Sequence, residues 1–118
     1  MPFNCWGVSY SIDARSCDGN IINSESILKL WLAELVADLQ MEAYRPPEVI
    51  YFGSGLSIIQ LITTRSNIIA HMNQLDNSAY IDIFTCRIID GMEEKITNNI
   101  FKWFKPAHIS LETLYRQA

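Results

Sequence analysis

Three strand-like segments follow one another in the middle of the chain, with no helical segment between them. They are Val49 to Phe52, Leu56 to Thr64 and Ser78 to Cys86, and the turn residues Gly53-Ser54-Gly55 separate the first two. Antiparallel neighbours can be joined by a tight turn, whereas parallel neighbours need a crossover of roughly a dozen residues or more. The middle of the chain therefore predicts strands that pair antiparallel.

Both ends of the chain also alternate with the strand period. The first alternating segment extends from Cys5 to Ile12, and the last begins near Ile109. The residues predicted to share a face are Trp6, Val8, Tyr10 and Ile12 in the first segment and Ile109, Leu111, Thr113 and Tyr115 in the last.

Two segments have the helical period. The first is predicted from about Glu25 to Met41 with Ser24 or Asn23 as its N-cap, and the second follows Asp90-Gly91 and extends to about Phe104. Prolines follow both helices and prevent their continuation. The predicted buried stripes are Leu28, Trp31, Leu32, Leu35 and Leu39 in the first helix and Ile96, Ile100, Trp103 and Phe104 in the second.

The order β-α-β-β-β-α-β predicts an α+β fold: a two-layer α/β sandwich in which two helices pack on one face of an antiparallel sheet. A chain of 118 residues has the size of a single domain, so we expect one domain over residues 1–118. The strands are rich in aliphatic and aromatic residues. The sheet face that does not contact the helices is therefore expected to be apolar and to be covered by a partner. We expect a homodimer to provide this cover.

Composition argues against several classes of partner. The net charge is −4 and the nine Lys and Arg are scattered, so no basic patch indicates a nucleic acid or an anionic membrane. The longest apolar run, Ile58 to Ile62, is too short to span a bilayer, and the first residues lack a signal-peptide pattern. Cys5, Cys17 and Cys86 lack the spacing of a metal site, so we expect reduced thiols, no metal and a cytoplasmic location.

A serine, a histidine and a cysteine recur at a distinctive spacing. His71 lies five residues after Ser66, and Cys86 lies twenty residues after it, at the end of the segment Ile81-Asp82-Ile83-Phe84-Thr85-Cys86. With this spacing the chain resembles, over nearly its whole length, the small prokaryotic form of S-adenosylmethionine decarboxylase, whose segment reads A-x-D-[IL]-F-T-C. The family's N-terminal pattern G-x-H-x(3)-D-x-Y-G-C is matched more weakly, by Gly7, Asp13 and Cys17.

The resemblance implies a self-processing, pyruvoyl-dependent enzyme that decarboxylates a small-molecule substrate. Ser66 would attack the carbonyl of Arg65. Cleavage would leave a β chain of residues 1–65 and an α chain of residues 66–118, whose pyruvoyl group forms a Schiff base with the substrate. His71 would act as acid or base in processing, and Cys86 would protonate the α-carbon after decarboxylation. The product would feed the synthesis of polyamines such as spermidine.

Two positions depart from the family's pattern near the processing site. Arg65 replaces the glutamate that precedes the serine, and Leu75 replaces the glutamate that binds the ribose hydroxyls. Leucine cannot accept those hydrogen bonds, and Asp76 is the nearest carboxylate that could take over. Arginine or ornithine therefore remains an alternative substrate, and a non-cleaving binding or regulatory subunit remains an alternative function.

Two further residues are candidates for substrate binding. Phe52 lies on the strand where the family stacks the adenine, and it is equally consistent with a core residue of a hairpin. Ser57 resembles the family's second active-site serine, although it precedes Ser66 by nine residues where the family has eight.

Overall fold

The computed structural model describes residues 5–117, and the side chains of residues 6–116. The elements in this range are β1 Cys5–Arg15, α1 Gly19–Ile22, α2 Glu25–Asp38, β2 Glu48–Phe52, β3 Gly55–Ile62, β4 Ser66–Asn73, β5 Ser78–Thr85, α3 Met92–Phe104 and β6 His108–Gln117. The strands form one sheet in the order β2-β3-β4-β5-β1-β6. All neighbouring strands are antiparallel, as predicted.

The helices pack on one face of the sheet, which confirms the two-layer α+β fold. Alternate residues of each central strand point into the core, as Val8, Tyr10, Ile12 and Ala14 do in β1. The opposite face, called the open face below, carries the intervening residues. No helix within residues 5–117 combines the length and the apolar character needed to cross a membrane.

Both predicted helices are confirmed. Ser24 caps α2, since its hydroxyl accepts a hydrogen bond from the Ile27 amide at 3.2 Å. The helix ends at Asp38, three residues before the predicted end at Met41. Trp31 of α2 donates to the Asn99 side chain of α3 at 2.7 Å, so a buried polar contact fixes the two helices relative to each other.

Strand β4 and the short helix α1 were absent from the sequence prediction. In β4 the inward residues Ile68, Ala70 and Met72 alternate with Asn67, His71 and Asn73, as in a strand with one face uncovered. The predicted strand from Leu56 to Thr64 also ends earlier, at Ile62, because residues 63–65 form the turn into β4.

The prediction that Trp6 shares a face of β1 with Val8, Tyr10 and Ile12 was wrong. The β1–β6 register shifts between Cys5 and Gly7, so two residues of β1 face one residue of β6. The alternation is broken there, and Trp6 is 46% exposed. Its ring stacks on Phe84 with centroids 5.6 Å apart, and Phe84 belongs to the open face of β5.

Candidate active site

The turn before Ser66 has a strained backbone. Residues 63–65 connect β3 to β4, and Ile62 and Ser66 form the last pair of the ladder. Thr64 and Arg65 both have left-handed backbone angles, with φ of 63° and 59°. Non-glycine residues adopt this conformation at a cost of about 1 kcal/mol or more each. The peptide bond between Arg65 and Ser66 therefore follows two strained residues.

The Ser66 hydroxyl points toward the helices. The residue is only 4% exposed. Its Oγ donates to the Thr85 hydroxyl at 3.3 Å and lies 3.5 Å from the Thr64 carbonyl oxygen. The Thr85 contact follows from the β4–β5 register, in which Asn67 faces Phe84 and the next positions outward are Ser66 and Thr85.

Cys86 contacts the same peptide group from the other side of the sheet. Its Sγ lies 3.8 Å from the carbonyl oxygen of Arg65, within hydrogen-bonding reach of a thiol. Successive strand residues point to opposite faces, so Thr85 and the adjacent Cys86 approach from opposite sides. The structure thus brings together the candidate residues Arg65, Ser66 and Cys86 and adds Thr85; these four residues are the Ser66 cluster.

Aromatic side chains cover the open-face side of this cluster. The Arg65 guanidinium lies 5.8 Å from the centroid of the Trp6 ring, which itself stacks on Phe84. Gly7 permits this packing, because a Cβ there would lie 2.7 Å from the Phe84 ring and 3.0 Å from the Thr85 carbonyl oxygen. Sequence reasoning missed Trp6, since only the register shift turns it toward this site.

A polar cavity of 270 Å³ adjoins Ser66 on the helix side. Its lining includes Thr63, Thr64, Ser66, Thr85 and Arg87, together with the residues that follow α2. The space and its polar walls are suited to holding water beside the serine.

A second cluster lies farther along the open face. Ser57 and His71 face each other across β3 and β4, and the Ser57 Oγ is 2.6 Å from His71 Nδ1. They line a cavity of 280 Å³ together with Phe52, Asn73 and Tyr80. The predicted residues Phe52, Ser57 and His71 therefore lie together, and with Tyr80 they form the His71 cluster. Tyr80 is opposite His71 in the ladder, which the sequence could have indicated only with the register known.

The two clusters are separate within one chain. Ser66 and His71 lie five residues apart on β4. Five residues of strand span about 16 Å, and an odd number places the two side chains on opposite faces. His71 therefore does not contact Ser66 of its own chain.

Asp76 belongs to neither cluster. It lies with Leu75 in the turn between β4 and β5, and Leu75 is 84% exposed. The charge of Asp76 acts instead on Cys17: burial, and to a lesser degree Asp76, raise the pKa of the Cys17 thiol to about 11. Cys17 therefore stays protonated near neutral pH and packs as a core residue.

The fold and the Ser66 cluster define a class: α+β sandwiches with a serine and a cysteine beside a strained turn at the end of an uncovered sheet. The sequence profile of the S-adenosylmethionine decarboxylase family matches residues 8–117. The chain belongs to this family, which confirms the resemblance found in the sequence and indicates a decarboxylase.

One solved structure supports the fold assignment. The crystal structure of the adenosylmethionine decarboxylase from Aquifex aeolicus is similar to this chain with a TM-score of 0.82 and 16% sequence identity. The match covers 98% of this chain and 93% of that chain. At this identity the likeness shows a shared fold. No curated protein sequence matches the chain.

Proposed function

We propose that this chain is a self-processing, pyruvoyl-dependent decarboxylase of S-adenosylmethionine that supplies polyamine synthesis, including that of spermidine. The observation that carries the proposal is the contact of the Cys86 thiol with the carbonyl oxygen of the peptide bond that joins Arg65 to Ser66. Ser66, which carries the hydroxyl, is the residue directly after Arg65 in the chain. The Cys86 thiol lies 3.8 Å from the carbonyl oxygen of Arg65. These groups are suited to cleaving the chain at this peptide bond.

The proposed cleavage begins with attack of Ser66 Oγ on the carbonyl carbon of Arg65. The new C–O bond replaces the C–N bond, and the hydroxyl proton ends on the nitrogen, which becomes an amine. Negative charge that develops on the carbonyl oxygen is stabilised by the Cys86 thiol, since a donor aimed at that oxygen lowers the barrier. Release of the left-handed strain at Thr64 and Arg65 favours the same step.

Elimination then breaks the bond between Oγ and Cβ of residue 66. The α-proton of residue 66 is lost, and Oγ remains with Arg65 as part of its carboxylate. The resulting dehydroalanine takes up one water and releases one ammonia, which leaves a pyruvoyl group on residue 66. The cavity of 270 Å³ beside Ser66 offers space for that water.

The residues around position 66 fit a pyruvoyl group made in this way. Once formed, the group supplies a ketone that accepts the electron pair released on decarboxylation. Cys86 is within reach of the same position and is half-buried, so its thiol can deliver a proton to the substrate carbon. The substrate enters from the open face, where the ring of Trp6 lies uncovered.

We further propose a homodimer in which two open faces pack together. His71 cannot reach Ser66 in its own chain, whereas a two-fold axis between the clusters would place His71 of a second copy beside the Arg65–Ser66 peptide. Large apolar residues stay uncovered along the face, among them Trp6 (46% exposed), Phe52 (60%) and Leu114 (54%). His71, held by Ser57 at 2.6 Å, would then act as the acid or base of processing, and Phe52 would contribute to substrate binding.

Arginine or ornithine is a second candidate substrate. The observation that favours it is the position of Leu75, which stands where the family has its ribose-binding glutamate and lies exposed in a turn. A substrate without a ribose needs no hydrogen-bond acceptor for ribose hydroxyls at position 75. Release of labelled carbon dioxide from S-adenosylmethionine, arginine and ornithine separates the candidates.

An intact mass spectrum of the purified protein tests the proposal directly. The expected result is two fragments, residues 1–65 and residues 66–118, with the second lighter by one ammonia than a chain beginning with serine. The variant Ser66→Ala should remain one chain. A wild-type chain that also stays whole after long incubation would overturn the proposed function and favour a non-catalytic binding protein.

A further inference from the structure

We propose that Thr85 is a positioning residue for self-cleavage: its hydroxyl fixes the Ser66 Oγ for attack on Arg65. The inference rests on the proposed function and extends it to a residue whose role the sequence did not indicate. It depends on the hydrogen bonds made by one buried atom, the side-chain oxygen Oγ1 of Thr85.

The single proton of the Thr85 hydroxyl already forms a hydrogen bond within the chain. Thr85 Oγ1 donates to the carbonyl oxygen of Arg87 at 2.7 Å and accepts from the Arg87 amide at 3.0 Å. Toward any further neighbour the oxygen can only accept. The contact with Ser66 Oγ at 3.3 Å therefore has one direction, with serine as donor.

Burial makes this contact decisive for the orientation of the serine. Thr85 is 1% exposed and Ser66 is 4% exposed, so bulk solvent has little access to the contact between the two hydroxyl groups. The only other protein acceptor near it among the described residues is the Thr64 carbonyl, at the longer distance of 3.5 Å. With its proton held by Thr85, the Ser66 oxygen keeps its lone pairs for the neighbouring carbonyl carbon.

The Thr85 hydroxyl thus complements Cys86. Thr85 holds the attacking oxygen from the helix side, while Cys86 contacts the carbonyl oxygen from the open-face side. Misplacement of a reacting group by about 1 Å can cost about a hundredfold in rate, so loss of this anchor is expected to slow attack.

The role of Thr85 ends when cleavage is complete. Ser66 Oγ leaves with the Arg65 carboxylate, so the group that Thr85 orients is absent from residue 66 in the processed enzyme. Thr85 is therefore expected to act on the rate of processing through its contact with Ser66 Oγ.

The test compares Thr85→Val with Thr85→Ser in the full-length chain. Cleavage is followed by intact mass over time. Thr85→Val is expected to slow cleavage by about 10- to 100-fold. Thr85→Ser, which keeps the hydroxyl, is expected to restore cleavage.

Hydroxylamine identifies the step affected, because it cleaves esters far faster than amides. If Thr85 positions the attack, hydroxylamine does not accelerate cleavage of Thr85→Val, since the ester is not formed. Rapid hydroxylamine cleavage of that variant would overturn the inference, as would wild-type cleavage rates in Thr85→Val or equal slowing in Thr85→Ser. Should Thr85→Val fail to fold, Thr85→Ala, which removes the hydroxyl and leaves more space, is measured in the same way.

These outcomes separate the two proposals. A wild-type chain that never cleaves counts against the proposed function itself. A wild-type chain that cleaves, beside a Thr85→Val chain that cleaves equally fast, counts against the role of Thr85 alone.

Discussion

The Cys86 sulfur lies 3.8 Å from the carbonyl oxygen of Arg65, so one thiol adjoins both the peptide bond proposed to be cut and the position of the proposed pyruvoyl group. The same residue can therefore serve two reactions in succession. In the proposed mechanism, it would stabilise charge on the carbonyl oxygen during cleavage and later deliver a proton to the substrate.

Replacement of Cys86 is expected to affect the two reactions to different extents. Cys86→Ala should slow cleavage by about tenfold, because a thiol is a weak donor, and should reduce turnover of processed sites by about a hundredfold or more. Cleavage is measured by intact mass and turnover by release of labelled carbon dioxide. Cys86→Ser, which retains a donor, should cleave nearly normally and still turn over poorly. Full turnover in Cys86→Ala would contradict the proton-donor role.

Mixed dimers test whether His71 acts on the partner chain. We expect His71→Ala alone to cleave at least tenfold more slowly than wild type, since acid–base groups contribute about that much or more. Coexpression with Ser66→Ala should restore cleavage of the His71→Ala chain, because the Ser66→Ala partner supplies an intact histidine. Tags of different mass distinguish the two chains.

The control for this experiment pairs His71→Ala with the double variant Ser66→Ala/His71→Ala, which offers no histidine to either site. Restoration in that pair, or its absence with Ser66→Ala, would argue against the dimeric arrangement. Sedimentation equilibrium of the wild-type protein provides an independent measure of the dimer.

Gly7 is expected to tolerate no side chain. A Cβ at this position would lie 2.7 Å from the Phe84 ring and 3.0 Å from the Thr85 carbonyl oxygen, so Gly7→Ala must displace the Phe84 ring and crowd the backbone of Thr85. Overpacking of this kind costs about 1–3 kcal/mol of unfolding free energy. Urea unfolding measures that cost, and slower cleavage should accompany it. Gly53→Ala is a matched control, since a Cβ there meets no atom within 4 Å.

The raised pKa of the Cys17 thiol predicts that the folded chain loses stability at alkaline pH. Its pKa is raised from 9.0 to about 11 in the folded chain, so the unfolded chain releases the thiol proton first as the pH rises. The unfolding free energy should therefore be unaffected by this group below about pH 9 and should fall between about pH 9 and 11, by roughly 2 to 3 kcal/mol in total. Urea titrations of wild type and Cys17→Ala at several pH values isolate the contribution of the Cys17 thiol to the unfolding free energy, because the other groups titrate equally in the two proteins. Parallel curves for the two proteins would refute the prediction.

Substrate binding should depend on Phe52 and not on Asp76. Phe52 lines the cavity of the His71 cluster, whereas Asp76 lies in the turn beyond it and acts on Cys17. We expect Phe52→Ala to raise KM by about tenfold through lost aromatic contact and Asp76→Asn to leave KM unchanged. The reverse pattern in steady-state kinetics would restore Asp76 as the substitute for the missing glutamate.

The two layers of this fold could be predicted because the spacing of hydrophobic residues within a helix or a strand depends only on neighbouring residues in the chain. Leu28, Trp31 and Ile96 recur with the turn of a helix, and Val8, Tyr10 and Ile12 recur with the pleat of a strand, so their burial needs no knowledge of distant partners. Likewise the twenty-residue spacing of Ser66 and Cys86 spans one hairpin, and the structure brings these residues together.

The features that escaped prediction depend on register. Trp6 departs from the face of Val8 only because β1 and β6 shift against each other near their ends, and the alternation within β1 does not indicate that shift. The pairing of Ser57 with His71, and of Ser66 with Thr85, follows from which residues face each other across β3, β4 and β5. The distance between Ser66 and His71 could be inferred only once β4 was known to be one continuous strand.

The order of strands also decides what happens to the two pieces after the chain is cut. The piece ending at Arg65 contains β1, β2 and β3, and the piece starting at Ser66 contains β4, β5 and β6. In the sheet order β2-β3-β4-β5-β1-β6, strand β1 of the first piece is inserted between β5 and β6 of the second. The pieces are interlocked by three ladders, and neither retains a complete sheet without the other. In the proposed enzyme, cleavage at Arg65–Ser66 would therefore leave two chains held together as a heterodimer by the ladders of one shared sheet.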